Sequence, residues 1–283
     1  MAWISCYILY IDLKIDLYLI TNSQGPTGTA GGGPGGFSGR VLVGIAFSVN
    51  LEAALLVDNF SGSPLCRYCG TASVVGPLCP GCLDALPWLR QACPRCAQPQ
   101  NHTALCRRCA VRPPPFDAAW AAFRLEAPVQ HGVHRLKYGA DFTQAQLLGR
   151  LMAEQLGRRA LPLPQLLIPV PLHRTRLMRR GYNQALELAR VLTQRLAMPL
   201  AADAAVRVRA TPDQIGQSAA QRRRNLRGAF AVPRPLGGLH IALLDDVMTT
   251  GATLAELARA ARTAGAARIE AWSLARVAGN ARS

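Results

Sequence analysis

Two patterns of hydrophobic residues alternate along the chain after residue 113. Short continuous apolar runs are typical of buried strands in a parallel sheet, which are covered on both faces. Longer stretches repeat their apolar residues every three or four positions, as an amphipathic helix does. Together the patterns predict strands at residues 116–126, 166–170, 206–209, 241–244 and 268–274, and helices at residues 128–138, 144–159, 184–196 and 254–264.

The order of these elements predicts an α/β fold, in which a mostly parallel sheet is flanked by helices. We expect this domain to occupy residues 113–283, after a proline-rich boundary. Residues 61–112 precede it as a small cysteine-rich domain. Residues 1–60 are predicted to be a poorly ordered N-terminal extension, because they include a Gly-rich linker at residues 25–39.

Eight of the nine cysteines form four Cys-x-x-Cys pairs, and the first two pairs repeat as the last two at an offset of 27 residues. Closed sets of four thiolates are structural zinc sites, and a unit this short needs the metal to fold. We expect two Zn²⁺ ions in a double zinc ribbon. Sequential pairing is favoured over an interleaved one, and redox or disulfide cysteines are the alternative. The predicted ligands are Cys66, Cys69, Cys79, Cys82, Cys93, Cys96, Cys106 and Cys109.

The clearest sign of ligand chemistry follows the apolar run at residues 241–244. Asp245 and Asp246 end that run, and residues 249–253 read Thr-Thr-Gly-Ala-Thr before a helix begins. A helix start after a polar loop offers free amides to a phosphate, and acids at a strand's carboxyl end lie where α/β sheets bind ligands. No lysine follows Gly251, which excludes a P-loop. An acidic strand end before an ordinary capped helix is the alternative interpretation.

Basic residues supply further candidates. The formal net charge is +16, and only Lys14 and Lys137 are lysines. Arginine favours bidentate contacts with phosphates, so we expect anionic partners. The basic stretch after the strand at 166–170 is interpreted as a pyrophosphate-binding loop, or else as a solvated loop; the segment 214–227 is predicted to be a lid, or else a charged helix face. The candidates are His173, Arg174, Arg176, Arg179 and Arg180 in the loop, and Arg222, Arg223, Arg224 and Lys137 as lid-type residues.

The strand, the two aspartates and the Thr-Thr-Gly-Ala-Thr segment resemble the loop that binds 5-phosphoribosyl 1-pyrophosphate (PRPP) in type I phosphoribosyltransferases. Other segments narrow the resemblance: the four cysteine pairs, Leu-Lys-Tyr at 136–138, Arg-Gly-Tyr-Asn-Gln at 180–184, and Gln214 followed by residues 222–230. In that order, residues 60–276 resemble the ComF family, also called GntX-like. The resemblance implies a type I phosphoribosyltransferase fold behind a small zinc domain.

The resemblance also implies roles for the site residues. It assigns Asp245 and Asp246 to the ribose hydroxyls as catalytic residues, and implies Mg²⁺ between pyrophosphate and ribose oxygens. It implies a cytoplasmic, PRPP-binding protein linked to DNA uptake and competence or to nucleotide metabolism, and leaves transferase activity open. The residues assigned to the 5′-phosphate are Thr249, Thr250, Gly251, Ala252 and Thr253.

A non-catalytic protein is the alternative function. In that hypothesis the chain is a competence factor that binds single-stranded DNA through its arginines, and the PRPP pocket serves as a sensor. Other competence or DNA-uptake proteins would be its partners. No integral membrane segment is expected, because no uninterrupted apolar run is long enough to cross a bilayer.

Overall fold

A parallel sheet organises the part of the chain that this computed structural model describes, residues 65–73, 76–210 and 219–279. Four strands form it in the order β1-β6-β5-β2, and all neighbours run parallel, whereas β3 and β4 form a separate antiparallel pair. In chain order the strands are β1 (Ala118–Arg124), β2 (Leu166–Pro169), β3 (Val206–Arg207), β4 (Phe230–Ala231), β5 (His240–Met248) and β6 (Arg268–Arg276).

Helices cover both faces of this sheet. The helices are α1 (Pro80–Asp84), α2 (Arg107–Val111), α3 (Val129–Tyr138), α4 (Phe142–Gly157), α5 (Arg174–Arg180), α6 (Gln184–Leu196), α7 (Ala219–Leu226) and α8 (Ala252–Thr263). Alternate residues of β5 point to opposite layers, as in any strand. Ala242 and Leu244 pack with α3, α4 and α6, while Ile241 and Leu243 pack with α7 and α8. The predicted fold class, a parallel sheet flanked by helices behind a cysteine-rich unit, is therefore confirmed.

Some predictions fall on residues outside this description. They are the N-terminal extension at residues 1–60, the stretch 211–218 that contains Gln214, and the side chains of Arg222 and Arg223. Within the described ranges, no helix has both the length and the apolar character that crossing a bilayer requires.

Two elements differ from their predicted forms. The strand expected at 241–244 continues to Met248, because β6 pairs with β5 as far as Met248 and Arg276. The basic stretch expected to be a loop forms α5 instead. His173 caps the start of this helix, and Gly181, with φ of 82°, ends it in a left-handed conformation that glycine tolerates.

The predicted lid segment also contains a helix. Its described part includes α7, with Leu226 buried and Arg224 exposed. This helix agrees with the alternative interpretation of a charged helix face.

The cysteine-rich segment keeps its internal repeat in three dimensions. An isolated bridge joins Leu65 to Ala72 in the first half and Ala92 to Pro99 in the second, and α1 and α2 follow at the same offset of 27 residues. The backbone amide of Cys66 donates to the carbonyl of Thr71, and that of Cys93 to Gln98. The two halves are therefore copies of one local structure.

This cysteine-rich segment covers the outer edge of β1. The backbone amide of Ala119 donates to the carbonyl of Pro94 at 2.9 Å, and the amide of Leu89 donates to Ala122 at 2.9 Å. The ring centroids of Trp88 and Phe123 lie 4.5 Å apart. Backbone groups along this edge, which would otherwise face solvent, are thereby paired.

A buried carboxylate, that of Glu270, lies near the start of β6. Glu270 is 1% exposed, and its oxygens accept hydrogen bonds from Arg159 at 3.0 Å, Trp272 at 2.9 Å and His240 at 3.1 Å. Burial opposes the negative charge, but the hydrogen bonds from Trp272 and Arg159 outweigh it and lower the pKa of Glu270. The ionised form of Glu270 therefore stabilises the fold.

We expect Glu270→Gln to lower the free energy of unfolding at pH 7 by about 3–5 kcal/mol, because it leaves Arg159 without its buried partner. Since the folded pKa lies below the unfolded value of about 4.3, the native stabilisation is complete above that value and is lost as the pH falls through the folded pKa. Urea unfolding at pH 7 and pH 3.5 measures both effects. The exposed Glu154→Gln is the control and should change stability by less than about 0.5 kcal/mol. An equal loss at both pH values would contradict the role given to the charge.

Candidate functional site

A cavity of about 410 Å³ opens at the carboxyl end of the sheet. β2 pairs with β5 only as far as Pro169 and Leu244. The last four residues of β5 line the cavity, and three of them, Asp245, Val247 and Met248, pair with β6 alone. Carboxyl ends of parallel strands are where α/β folds place their ligands. The polar lining residues are Lys137, Tyr138, Arg176, Arg179, Arg180, Asn183, Gln184, Arg207, Asp245, Asp246, Thr249 and Thr253.

Two adjacent carboxylates form one wall of the cavity. Asp246 is 7% exposed and lies 2.9 Å from the Nζ atom of Lys137. Asp245 accepts a hydrogen bond from the backbone amide of Asp246 at 2.9 Å. Burial and the neighbouring Asp246 carboxylate raise the pKa of Asp245 to about 7. Ionising both carboxylates of the pair at once is therefore unfavourable.

Lys137 lies on the wall of the cavity, in the last turn of α3. The sequence predicts Lys137 as a lid-type residue, whereas the structure places it on α3 in the cavity wall. Burial opposes its charge, but the Asp246 carboxylate outweighs this effect and raises the pKa of Lys137. The hydroxyl of Tyr182 donates to the carbonyl of Leu136 and so fixes the end of α3. Lys137 consequently acts as the counter-ion of the acid pair.

The segment after β5 has the shape expected for binding an anion. Gly251 has a φ of 76° and stands at the N-cap of α8, a conformation that favours glycine. Because glycine has no side chain, the N-cap residue itself offers no side-chain acceptor to the first amides of the helix. The hydroxyl of Thr250 accepts from the amide of Ala252 at 3.3 Å. Four of the five predicted residues line the cavity, and Thr250 does not: the lining members are Thr249, Gly251, Ala252 and Thr253.

Three of the five basic residues predicted on the loop line the cavity from α5: Arg176, Arg179 and Arg180. The other two do not. The ring Nδ1 of His173 accepts from the backbone amide of Thr175, which makes it a helix cap, and Arg174 is exposed. The described backbone puts Arg224 on α7, outside the cavity lining.

Sequence reasoning missed four of the polar lining residues: Tyr138, Asn183, Gln184 and Arg207. Asn183 caps α6 and donates to the carbonyl of Val170 at 3.0 Å, joining α6 to the end of β2. Gln184 accepts from Arg180 at 2.8 Å and so orients that guanidinium. Both belong to the Arg-Gly-Tyr-Asn-Gln segment, which was the available signal. Arg207 lies in a short strand and carried no signal of its own.

The cysteines form two separate groups, each suited to a metal ion. In each group the four sulfur atoms lie within 4.8 Å of one another, and the grouping is sequential, as favoured from the sequence. Hydrogen bonds from the backbone amides of Cys69 and Cys79 lower the pKa of Cys66 to about 6, whereas the hydrogen bond with Cys69 and burial raise the pKa of Cys82 to about 12. The groups are Cys66, Cys69, Cys79 and Cys82, and Cys93, Cys96, Cys106 and Cys109. Four close thiolates match a tetrahedral ion.

The chain is similar in sequence to two bacterial proteins with names that refer to DNA utilization and competence. No protein-family model matches the chain. The DNA utilization protein YhgH of Salmonella typhi is 37% identical over 217 residues, which cover 75% of this chain and 95% of YhgH. Competence protein F of Haemophilus influenzae is 34% identical over 210 residues, covering 70% of this chain and 90% of that protein.

Among solved structures, the glutamine PRPP amidotransferase of B. subtilis, complexed with ADP and GMP, superimposes on 46% of this chain. The match has 18% sequence identity and a TM-score of 0.32, and it spans a quarter of the amidotransferase, 25% of its length.

We expect Asp245→Asn to raise the free energy of unfolding at pH 8 by about 0.5–2 kcal/mol, as substitutions that relieve a destabilised site commonly do. The folded pKa of about 7 lies above the unfolded value, so the folded state binds the extra proton between the two values. The penalty of the charged form is complete above pH 7 and disappears as the pH falls towards pH 4. Urea unfolding at pH 8 and pH 5 measures the gain, which should shrink at the lower pH.

The exposed Asp203, paired with Arg234 on the surface, provides the control. Asp203→Asn should give no gain at either pH, because exposed ion pairs contribute little. A gain in Asp245→Asn that is equal at both pH values would contradict the raised pKa.

Proposed function

The chain belongs to the ComF family, together with competence protein F and the DNA utilization protein YhgH, and we propose that its cavity binds PRPP with Mg²⁺. One observation carries the proposal: three kinds of group converge on a single cavity. They are the acid pair of β5, the loop before α8 and the arginines of α5. Each suits one part of PRPP, and a phosphate monoester, a ribose and a pyrophosphate occur together in that molecule.

The 5′-phosphate belongs at the start of α8. Amides of the first turn, the hydroxyl of Thr253 and the helix dipole all favour an anion there. The ribose hydroxyls belong beside Asp245 and Asp246, because carboxylates accept hydrogen bonds from hydroxyl groups. The pyrophosphate belongs beside Arg176, Arg179 and Arg180, since guanidinium groups bind phosphate oxygens in bidentate fashion.

The cavity also suits the magnesium complex of PRPP. Mg²⁺ takes oxygen ligands, keeps several waters and is usually bound through substrate phosphates and one or two carboxylates. The carboxylates of the β5 pair face a polar cavity and can hold such waters. When bound, the ion would neutralise pyrophosphate charge, while Lys137 and the α5 arginines balance the rest.

Transfer from PRPP has a defined balance. The bond between C1′ and a pyrophosphate oxygen breaks, pyrophosphate leaves with the electron pair, and an acceptor nucleophile bonds to C1′ and loses its proton. The α5 arginines would stabilise charge on the leaving group, and the acid pair would hold the ribose in position. Pyrophosphate release thus separates a phosphoribosyltransferase from a protein that only binds PRPP.

The names of the relatives suggest a role for the chain in handling DNA. We propose that the chain acts in DNA uptake or utilization, in the cytoplasm, with competence proteins as partners. A second candidate is a non-catalytic factor that binds single-stranded DNA and uses PRPP as a signal. The net charge of +16 supports a polyanionic partner. Tyr138 supports it too: this residue lines the cavity and is 64% exposed, and the guanidinium of Arg180 lies 5.6 Å from the centroid of its ring.

The two cysteine groups belong to a structural domain in this proposal. Residues 61–112 would form a double zinc ribbon, and residues 113–283 the PRPP-binding domain. Four thiolates leave no open coordination position on Zn²⁺, so these sites would stabilise the fold and take no part in the reaction.

We expect calorimetry to show PRPP binding that requires Mg²⁺ and that weakens at least about 100-fold in the double variant Asp245→Asn/Asp246→Asn, since each carboxylate makes charge-assisted hydrogen bonds. Asp203→Asn is the matched control and should bind like the native chain. Absence of binding by the native chain, or unchanged binding by the double variant, would refute the site.

Pyrophosphate release, measured with a panel of nucleobases and with single-stranded DNA, decides between the two functions. Turnover identifies a transferase. PRPP binding without turnover, together with salt-dependent DNA binding, identifies the sensor.

Metal analysis of the purified chain should find two Zn²⁺ ions, one for each cysteine group. Cys66→Ser/Cys69→Ser and Cys93→Ser/Cys96→Ser should each reduce the content to one, because each removes half of one ligand set. A native chain without zinc, or a variant that loses both ions, would contradict two independent sites.

A further inference from the structure

A buried arginine connects the loop before α8 with the second cysteine group. Arg276 is the last residue of β6 and is 1% exposed. Among the residues that the structure describes, it forms no ion pair with a carboxylate; its donors meet carbonyl and amide oxygens. A buried charge is tolerated when its donors are hydrogen-bonded, so these acceptors hold the guanidinium in place.

On one side, Arg276 holds the start of the loop. Its Nη1 atom donates to the carbonyl of Met248 at 3.0 Å and also to the carbonyl of Thr249. In a trans peptide the carbonyl and the following amide point in opposite directions. Fixing these two carbonyls on Arg276 therefore turns the amides of Thr249 and Thr250 away from it, and so sets the course of the loop.

On the other side, Arg276 holds the turn that carries Cys96. Its Nε atom donates to the carbonyl of Cys96 at 3.2 Å, and its Nη2 atom donates to the side chain of Gln98 at 3.0 Å. The backbone of Gln98 accepts from the amide of Cys93, so both acceptors belong to one turn of the second cysteine group. A metal held by Cys93 and Cys96 would fix the same turn.

Among the described residues, the first cysteine group makes no comparable contact. Its residues equivalent to Cys96 and Gln98 are Cys69 and Thr71, whose sulfur and hydroxyl lie 3.0 Å apart in an exposed position. The two copies have therefore taken different roles in the described structure, and only the second contacts the loop through an arginine.

We infer that Arg276 is a positioning residue: it orients the loop at residues 249–253 and makes that loop depend on the second cysteine group. The inference rests on the proposed function in so far as this loop binds the 5′-phosphate of PRPP. The orientation of the loop itself can be tested without a ligand.

Hydrogen–deuterium exchange of the full unliganded chain is the decisive measurement, with two variants. Arg276→Lys keeps the charge but loses the planar fork of donors, and Gln98→Ala removes one acceptor within the cysteine group. Both should speed exchange about tenfold at the amides of Ala252 and Ala255, whose acceptors in the loop are the hydroxyl of Thr250 and the carbonyl of Gly251. Both should leave the buried helices α4 and α6 at native rates. Arg262→Lys is the matched control: Arg262 also donates to two backbone carbonyls, those of Ala266 and Ala267, at the far end of α8. It should leave the loop unchanged.

Two results would overturn the inference: unchanged exchange in the loop, or exchange that rises equally in α4 and α6, which indicates general destabilisation. Calorimetry adds a second reading, in which the PRPP dissociation constant should rise about tenfold in both variants. If the native chain binds no PRPP, the proposed function fails, while the exchange result still decides whether Arg276 positions the loop.

Discussion

Strand β5 continues for four residues after β2 has ended and pairs with β6 at three of them, and the cavity depends on this difference in strand length. The pairing on either side of Asp246 keeps Asp245 and Asp246 in the strand, although adjacent carboxylates repel each other, and the missing neighbour leaves room for a ligand. Lys137, which lies on α3, offsets part of the repulsion between the two carboxylates. The loop before α8 and the arginines of α5 form other walls of the cavity, next to the wall that β5 provides.

Periodic patterns were sufficient for the elements that pack by their own apolar face. Helices α3, α4, α6 and α8 begin and end within two residues of their predicted limits. These helices were predictable because the spacing of their apolar residues marks the face that each helix buries. The end of β5 was not predictable in this way. Its last residues are polar, and they remain a strand because a partner distant in sequence, β6, continues to pair with them.

The candidate site was predictable where its residues are neighbours in the chain. Asp245, Asp246 and residues 249–253 form one short segment with a recognisable order, and the structure brings all of them except Thr250 to one cavity. Arg207 lines the cavity and Arg276 contacts the loop before α8. Each is an isolated residue of a strand, and the neighbouring sequence does not indicate which groups surround its side chain. The sequence likewise could not show that His173 caps a helix while Arg176 faces the cavity, since that choice depends on the direction of α5.

The cover over the edge of β1 has a consequence for the behaviour of the whole protein in the cell. The contacts of Leu89 and Pro94 with β1 come from a segment that lies between and within the cysteine groups. If the cysteine groups hold the proposed metal ions, loss of those ions would free that segment and expose a strand edge, which is a template for self-association. The metal-free chain would then aggregate whether or not its cavity remained intact.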